Sequence, residues 1–229
     1  MASQSKVRGL LLALALGVAS CGGGGSNIAS PGGTGPTTPP GGGNGGAPTG
    51  LTLPSGAPVT EIVRIDAAAT RAGNVTLSAV AGRVYEIDGR VDVGADVGAA
   101  GGSGVSATLT IEPGVTLMAD SAGDMLIINR GSRIQAVGSS SQPIIFTSRA
   151  DLQGSNDPAT STRQWGGVII LGRAPIRNCN AAVAQATVQC ENAVEGVTAA
   201  TGSQALYGGA TSNDNSGAFQ YVPIRYPGA

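Results

Sequence analysis

The stretch Leu109–Ser148 matches itself when displaced by 17 residues: LTIEPGVTLMA (Leu109–Ala119) falls on LIINRGSRIQA (Leu126–Ala136). Leu109 meets Leu126, Ile111 meets Ile128, Gly114 meets Gly131, Leu117 meets Ile134 and Ala119 meets Ala136. In each copy apolar and polar residues alternate, a short turn ends in glycine, and alternation resumes. That pattern is strand, corner, strand. A unit of this kind, repeated along the chain, predicts a coil whose turns stack. The expected fold is therefore all-β, a parallel β-helix. Its strands of three to six residues would pair with counterparts one rung away, about 4.8 Å off. On the 17-residue displacement, Ile111 would lie over Ile128 and Leu117 over Ile134, inside the coil. Arg130 and Arg133 would point outward.

The rest of the chain extends this pattern. Val59–Asp66 and Asn74–Val80 read as strands, and Arg83–Val93 as another strand–corner–strand unit about Gly89. Gly94–Ser106 is a Gly/Ala-rich loop expected to protrude between rungs. No P-loop lysine or helix pattern follows it, so it is not a phosphate cradle. Asp92 and Asp96 lie at its start. They lack the nonapeptide pattern of calcium-binding β-rolls, and they read as solvated surface rather than a calcium site. Gln142–Ser148 is a further strand, and Arg149–Gln164 a polar insertion loop. In Trp165–Asn178, apolar residues fall on both faces of the strand, so its outer side must also be covered, by the loop that follows. Trp165, the only tryptophan, reads as a packed plug rather than a sugar-stacking platform. Ala218–Gly228 predicts one more rung, interrupted at Pro223, which cannot donate to a ladder. The sequence stops directly after that strand with no polar cap, so a coil truncated at its C-terminal end is expected.

The N-terminal fifth is different in kind. Lys6 and Arg8 precede a short apolar run, Gly9–Val18, too short to span a bilayer as a helix. Residues 1–20 therefore read as a secretory signal. Val18-Ala19-Ser20-Cys21 resembles the lipobox of bacterial lipoproteins. That resemblance implies that Cys21 is lipidated (palmitate among the acyl groups) and becomes the mature N-terminus, with the lipid bilayer as partner. Gly22 stands where inner-membrane retention signals of that family usually have Asp, which implies the outer membrane, on its periplasmic or cell-surface face. Residues 22–50 carry no charge and almost no apolar side chain, and are expected to be a disordered Gly/Pro/Thr tether. It would hold the β-helix domain, residues 51–229, on the order of 30 Å from the anchor.

Composition removes several chemistries. There is no histidine, and the only lysine is Lys6. A Ser-His-Asp hydrolase, a Schiff-base lysine and a His-rich metal site are excluded by inventory. Without Lys6 and Arg8 the formal charge falls from −1 to −3, which gives no reason to bind nucleic acid. No cofactor, metal or catalytic residue is assigned. Cys179 and Cys190, in an exported chain, most simply form a disulfide. A thiolate nucleophile would lack any histidine or lysine to activate it.

Several phrases taken together resemble a family of exported bacterial β-helix lipoproteins and surface proteins: IEPGVTL, LIINRGSRIQAVG, QPIIFTS, WGGVIILGRAPI, VEG, YGG and NDNSGAFQYV. They cover most of Leu109–Gly228. The resemblance implies a right-handed, pectin-lyase-like parallel β-helix and carries over no catalytic residue. The inventory favours a non-enzymatic role: an outer-membrane-anchored β-helix serving adhesion, polysaccharide binding or envelope structure. Two alternatives stand beside it. One is a calcium-dependent polysaccharide lyase or other glycan-processing enzyme, for which Asp88, Arg90, Asp92 and Glu112 on neighbouring rungs are the candidates. The other is a scaffold subunit of an envelope assembly.

Overall fold

A computed structural model describes residues 50–157, 159–197 and 204–228. The signal, Cys21 and nearly all of the tether lie outside the described residues. Thirteen short strands follow in chain order: β1 Glu61–Arg64, β2 Val75–Leu77, β3 Arg83–Glu86, β4 Arg90–Val93, β5 Thr108–Ile111, β6 Thr116–Ala119, β7 Met125–Ile128, β8 Arg133–Val137, β9 Ile145–Ser148, β10 Gly167–Ile170, β11 Asn192–Ala193, β12 Leu206–Tyr207 and β13 Gly217–Gln220. Eleven of them, all but β11 and β12, succeed one another by a single rule.

Three sheets are parallel throughout. The first has the order β1-β3-β6-β9, the second β4-β7-β10, and the third β2-β5-β8-β13. The chain visits first, second and third sheet in turn, then begins again one strand higher. The first turn lacks its second-sheet strand. Helix α1, Ala67–Ala72, stands between β1 and β2 instead and packs against β4. Asp66 caps it, accepting hydrogen bonds from the Ala68 and Ala69 N–H groups at 2.9 and 3.0 Å. A second short helix, α2 (Arg149–Leu152), starts from the Ser148 hydroxyl, which accepts from the Asp151 N–H. Both helices fall where the sequence reads as strand end or loop. Each is about one turn long, too short to show helical periodicity.

One buried cluster draws on all three sheets. Registers stack like on like. Val63, Tyr85, Leu117 and Phe146 are successive neighbours in the first sheet. Val91, Leu126 and Val168 are neighbours in the second, and Leu77, Ile111, Ala136 and Phe219 in the third. Trp165 is fully buried, stacked on Phe146 at 6.3 Å with the rings 6° from parallel. Its indole N–H donates to the Arg225 carbonyl at 2.8 Å, so the plug reading holds.

The expected stacks do not. Ile111 neighbours Leu77 and Ala136, not Ile128, and Leu117 neighbours Tyr85 and Phe146, not Ile134. Displacement by 17 carries β5 onto β7 and β6 onto β8, from one sheet to another, which is two-thirds of a turn. The strands and corners of the two copies share one pattern, so self-similarity reports the strand-and-corner unit and not the rung. The rung period is longer and varies with the corners: Leu109 pairs with Ile134, and Thr116 with Ile145. The corners at Gly114 and Gly131 do use positive φ, 86° and 80°.

Outside the coil, two sheets are covered. Leu51, Leu53 and Val59 lie with Leu152 of α2 over Ile62, Val84 and Met118 of the first sheet. Val194, Val197, Ala205 and Tyr207 lie over Met125, Ile127 and Ile169 of the second. The apolar outer face of β10 is thus covered by the segment that follows it, as its sequence requires. β13 ends before Pro223. There the chain turns through Tyr221 at φ 52°, and the Pro223 carbonyl accepts from the Phe146 N–H at 3.0 Å. The rung is interrupted at the proline, as expected.

Candidate functional site

The four residues nominated for glycan chemistry do not converge. Asp88, in the corner between β3 and β4, pairs with Arg64 at 2.6 Å. Glu112 follows β5 and accepts from the Ala79 N–H at 2.9 Å and from the Ser78 hydroxyl at 3.4 Å. Arg90 and Asp92 both lie on β4 and bind each other through two contacts of 2.9 Å. Asp92 also accepts from the Asn129 amide at 2.9 Å and lies 3.7 Å from Arg71. Solvated surface is therefore the wrong description of Asp92, which is only 5% exposed. Its side chain leaves the coil outward, but α1 and the Asn129 corner cover it. Among the described residues no three His, Cys, Asp or Glu side chains come together as a metal set.

Arg130 likewise corrects an expectation. It does point away from the core, yet it is 2% exposed. It sits in the tight corner between β7 and β8, flanked by two long excursions from the equivalent corners of neighbouring turns. Loop 94–106 supplies Asp96, at 2.8 and 2.6 Å. Segment 171–216 supplies Glu191 at 2.8 Å and the Gly208 carbonyl at 3.1 Å. Burial is the largest single influence on this guanidinium and works against its charge. The bonds to Asp96 and Glu191 together outweigh it and hold the pKa above its ordinary value.

Above Arg130, segments 170–178, 192–195 and 207–208 contribute to a cleft. Cys179 and Cys190 are disulfide-bonded, with Cα atoms 4.8 Å apart. Beyond the disulfide, β11 and β12 pair antiparallel, Asn192 opposite Tyr207. Gly208 ties this ribbon to the end of β10 through its N–H to the Gly172 carbonyl, 2.8 Å. Between ribbon, disulfide loop and strand end lies a cleft of about 610 Å³, within the ~300–1,000 Å³ range of small-molecule sites. Ile170 and Ile176 give it apolar surface; Asn178, Asn192, Glu195 and Tyr207 give it polar groups. The Asn192 amide is committed, donating to the Asn178 carbonyl at 3.1 Å and accepting from the Ala193 N–H at 2.8 Å. The side chains of Asn178, Glu195 and Tyr207 have no hydrogen-bond partner among the described residues.

Residues 70–229 match the family model described as a pectate-lyase-like beta helix domain. The chain belongs to that family. No curated protein and no solved structure matches it. In this pectate-lyase-like β-helix domain the candidate site lies on a side excursion, not on the coil itself. That is why sequence reasoning, which looked for acids on successive strands, passed over it. The VEG and YGG phrases, which hold Glu195 and Tyr207, were the available signal. Hydrolysis of a glycosidic bond ordinarily needs two carboxyl groups flanking it, and Glu195 is the one carboxylate among the described residues that line this cleft.

Proposed function

We propose that this β-helix domain holds glycan without cleaving it, as part of an outer-membrane lipoprotein anchored through Cys21 and wound as a right-handed coil. The family description fits a glycan-related or structural role. The right hand follows the strong chiral preference of parallel strand crossovers. The observation that carries the reading is the cleft: an aromatic ring, a free amide and one free carboxylate beside apolar surface. That combination suits a sugar, whose ring faces are apolar and whose rim is hydroxylated. The acids of the coil that might have joined in chemistry are instead held apart from one another by arginines or backbone N–H groups.

The test uses the full chain in detergent with a panel of acidic and neutral polysaccharides, with and without calcium. Retained protein and new chain ends are recorded together. Retention without new ends is expected. New ends that disappear when calcium is chelated would put a lyase in its place. The anchor is checked separately: labelled palmitate fed to the cells should enter the wild-type chain and not Cys21→Ser.

A further inference from the structure

The charge of the cleft narrows what it can hold. Glu195 is exposed, lines the cleft and joins no ion pair among the described residues. No arginine lines the cleft, and the chain has no lysine after Lys6 and no histidine. The cations nearest in sequence are placed elsewhere. Arg130 is held beneath by Asp96 and Glu191. Arg173 lies 3.7 Å from Asp214, and Arg177, though exposed, is not part of the lining. Among the described lining residues the only formal charge is therefore negative. A polyuronate would bring a second negative charge beside Glu195 with nothing to neutralise either, whereas an ammonium group would be paired.

We infer that this cleft takes a short saccharide bearing an amino group, with the sugar face against Tyr207, a hydroxyl at the Asn178 amide and the ammonium at Glu195. The inference rests on the glycan-holding reading and specifies its ligand class. It also separates this chain from the acidic polymer that the family's description names.

The experiment titrates the full chain in detergent at low salt with the β-1,4-linked glucosamine disaccharide, cellobiose and digalacturonate. An exposed ion pair predicts that the glucosamine disaccharide binds about fivefold more tightly than cellobiose, with digalacturonate weakest. Glu195→Gln should abolish that preference, so that the glucosamine disaccharide binds no more tightly than cellobiose. Tyr207→Ala should weaken both. Asp88→Asn, which removes an acid paired with Arg64, should leave the preference intact. Digalacturonate binding as tightly as the amino sugar, or a preference that survives Glu195→Gln, would overturn the inference. If long polysaccharides are still retained in that event, the glycan-holding reading stands and only the cleft assignment falls. Retention of no glycan at all would remove both.

Discussion

Arg130 joins three segments of chain that are remote in sequence. Breaking a buried ion pair by removing one partner leaves the other charge uncompensated, at about 3 kcal/mol or more. Glu191 and Asp96 keep some access to water, so Arg130→Met is expected to cost about 2 kcal/mol, read from the urea midpoint. The ribbon above it should loosen first, seen as faster exchange of the Gly208 amide proton. Asp157 offers a test by pH. Its carboxylate accepts from the Ala159 N–H and from the Thr160 hydroxyl, both at 2.9 Å, and these bonds hold its pKa below the ordinary value. A depressed folded pKa stabilises above the unfolded value of about 3.9 and ceases to do so as pH falls through the folded one. The Ala159 amide resonance should therefore move on acidification below about pH 4, and Asp157→Asn should remove the transition. Neither role was legible in the sequence. An arginine on the outward side of a strand corner looks solvated, because its cover comes from segments far along the chain.

At the scale of elements, most strands were legible and their partners were not. Alternation over four residues marks a strand wherever it occurs, and glycine marks its corners. Neither says which strand lies above, because corner length sets the rung and corners vary. Gly217 shows how tightly the pairing is made. It opens β13 at φ 118°, and a Cβ there would collide with the Ile134 carbonyl of β8. Gly217→Ala should detach β13 from the third sheet, costing at least about 2 kcal/mol in a thermal or urea melt. The disulfide was legible from residue type together with the expectation of export. Replacing both Cys179 and Cys190 by Ser should cost on the order of 3 kcal/mol in the chain-entropy model. The far-ultraviolet circular dichroism of the parallel sheets should persist, since the disulfide lies outside them.

Taken together, the eleven strands of the three parallel sheets form a stack in which each bonds only to the strands directly above and below. Interior strands such as β6, β7 and β8 have two partners; β1 and β10 have one. Amide exchange should accordingly be slowest in β6–β8 and fastest in the outer turns, and a flat profile across the stack would contradict this arrangement. The connection between β10 and β13 also has a mechanical side. Under tension, a stack of this kind yields by peeling from an end, and among the described strands β13 pairs with β8 alone. Once β13 lets go, and with it the Arg130 bonds to Glu191 and Gly208 and the packing on the second sheet, residues 171–216 can pay out as slack, a contour of roughly 150 Å. With the disulfide closed, the stretch between Cys179 and Cys190 stays looped, and the slack shortens by about 40 Å. A protein tethered at one end and gripping a polymer at its side would thus carry a shock absorber whose travel depends on whether two sulfurs are joined.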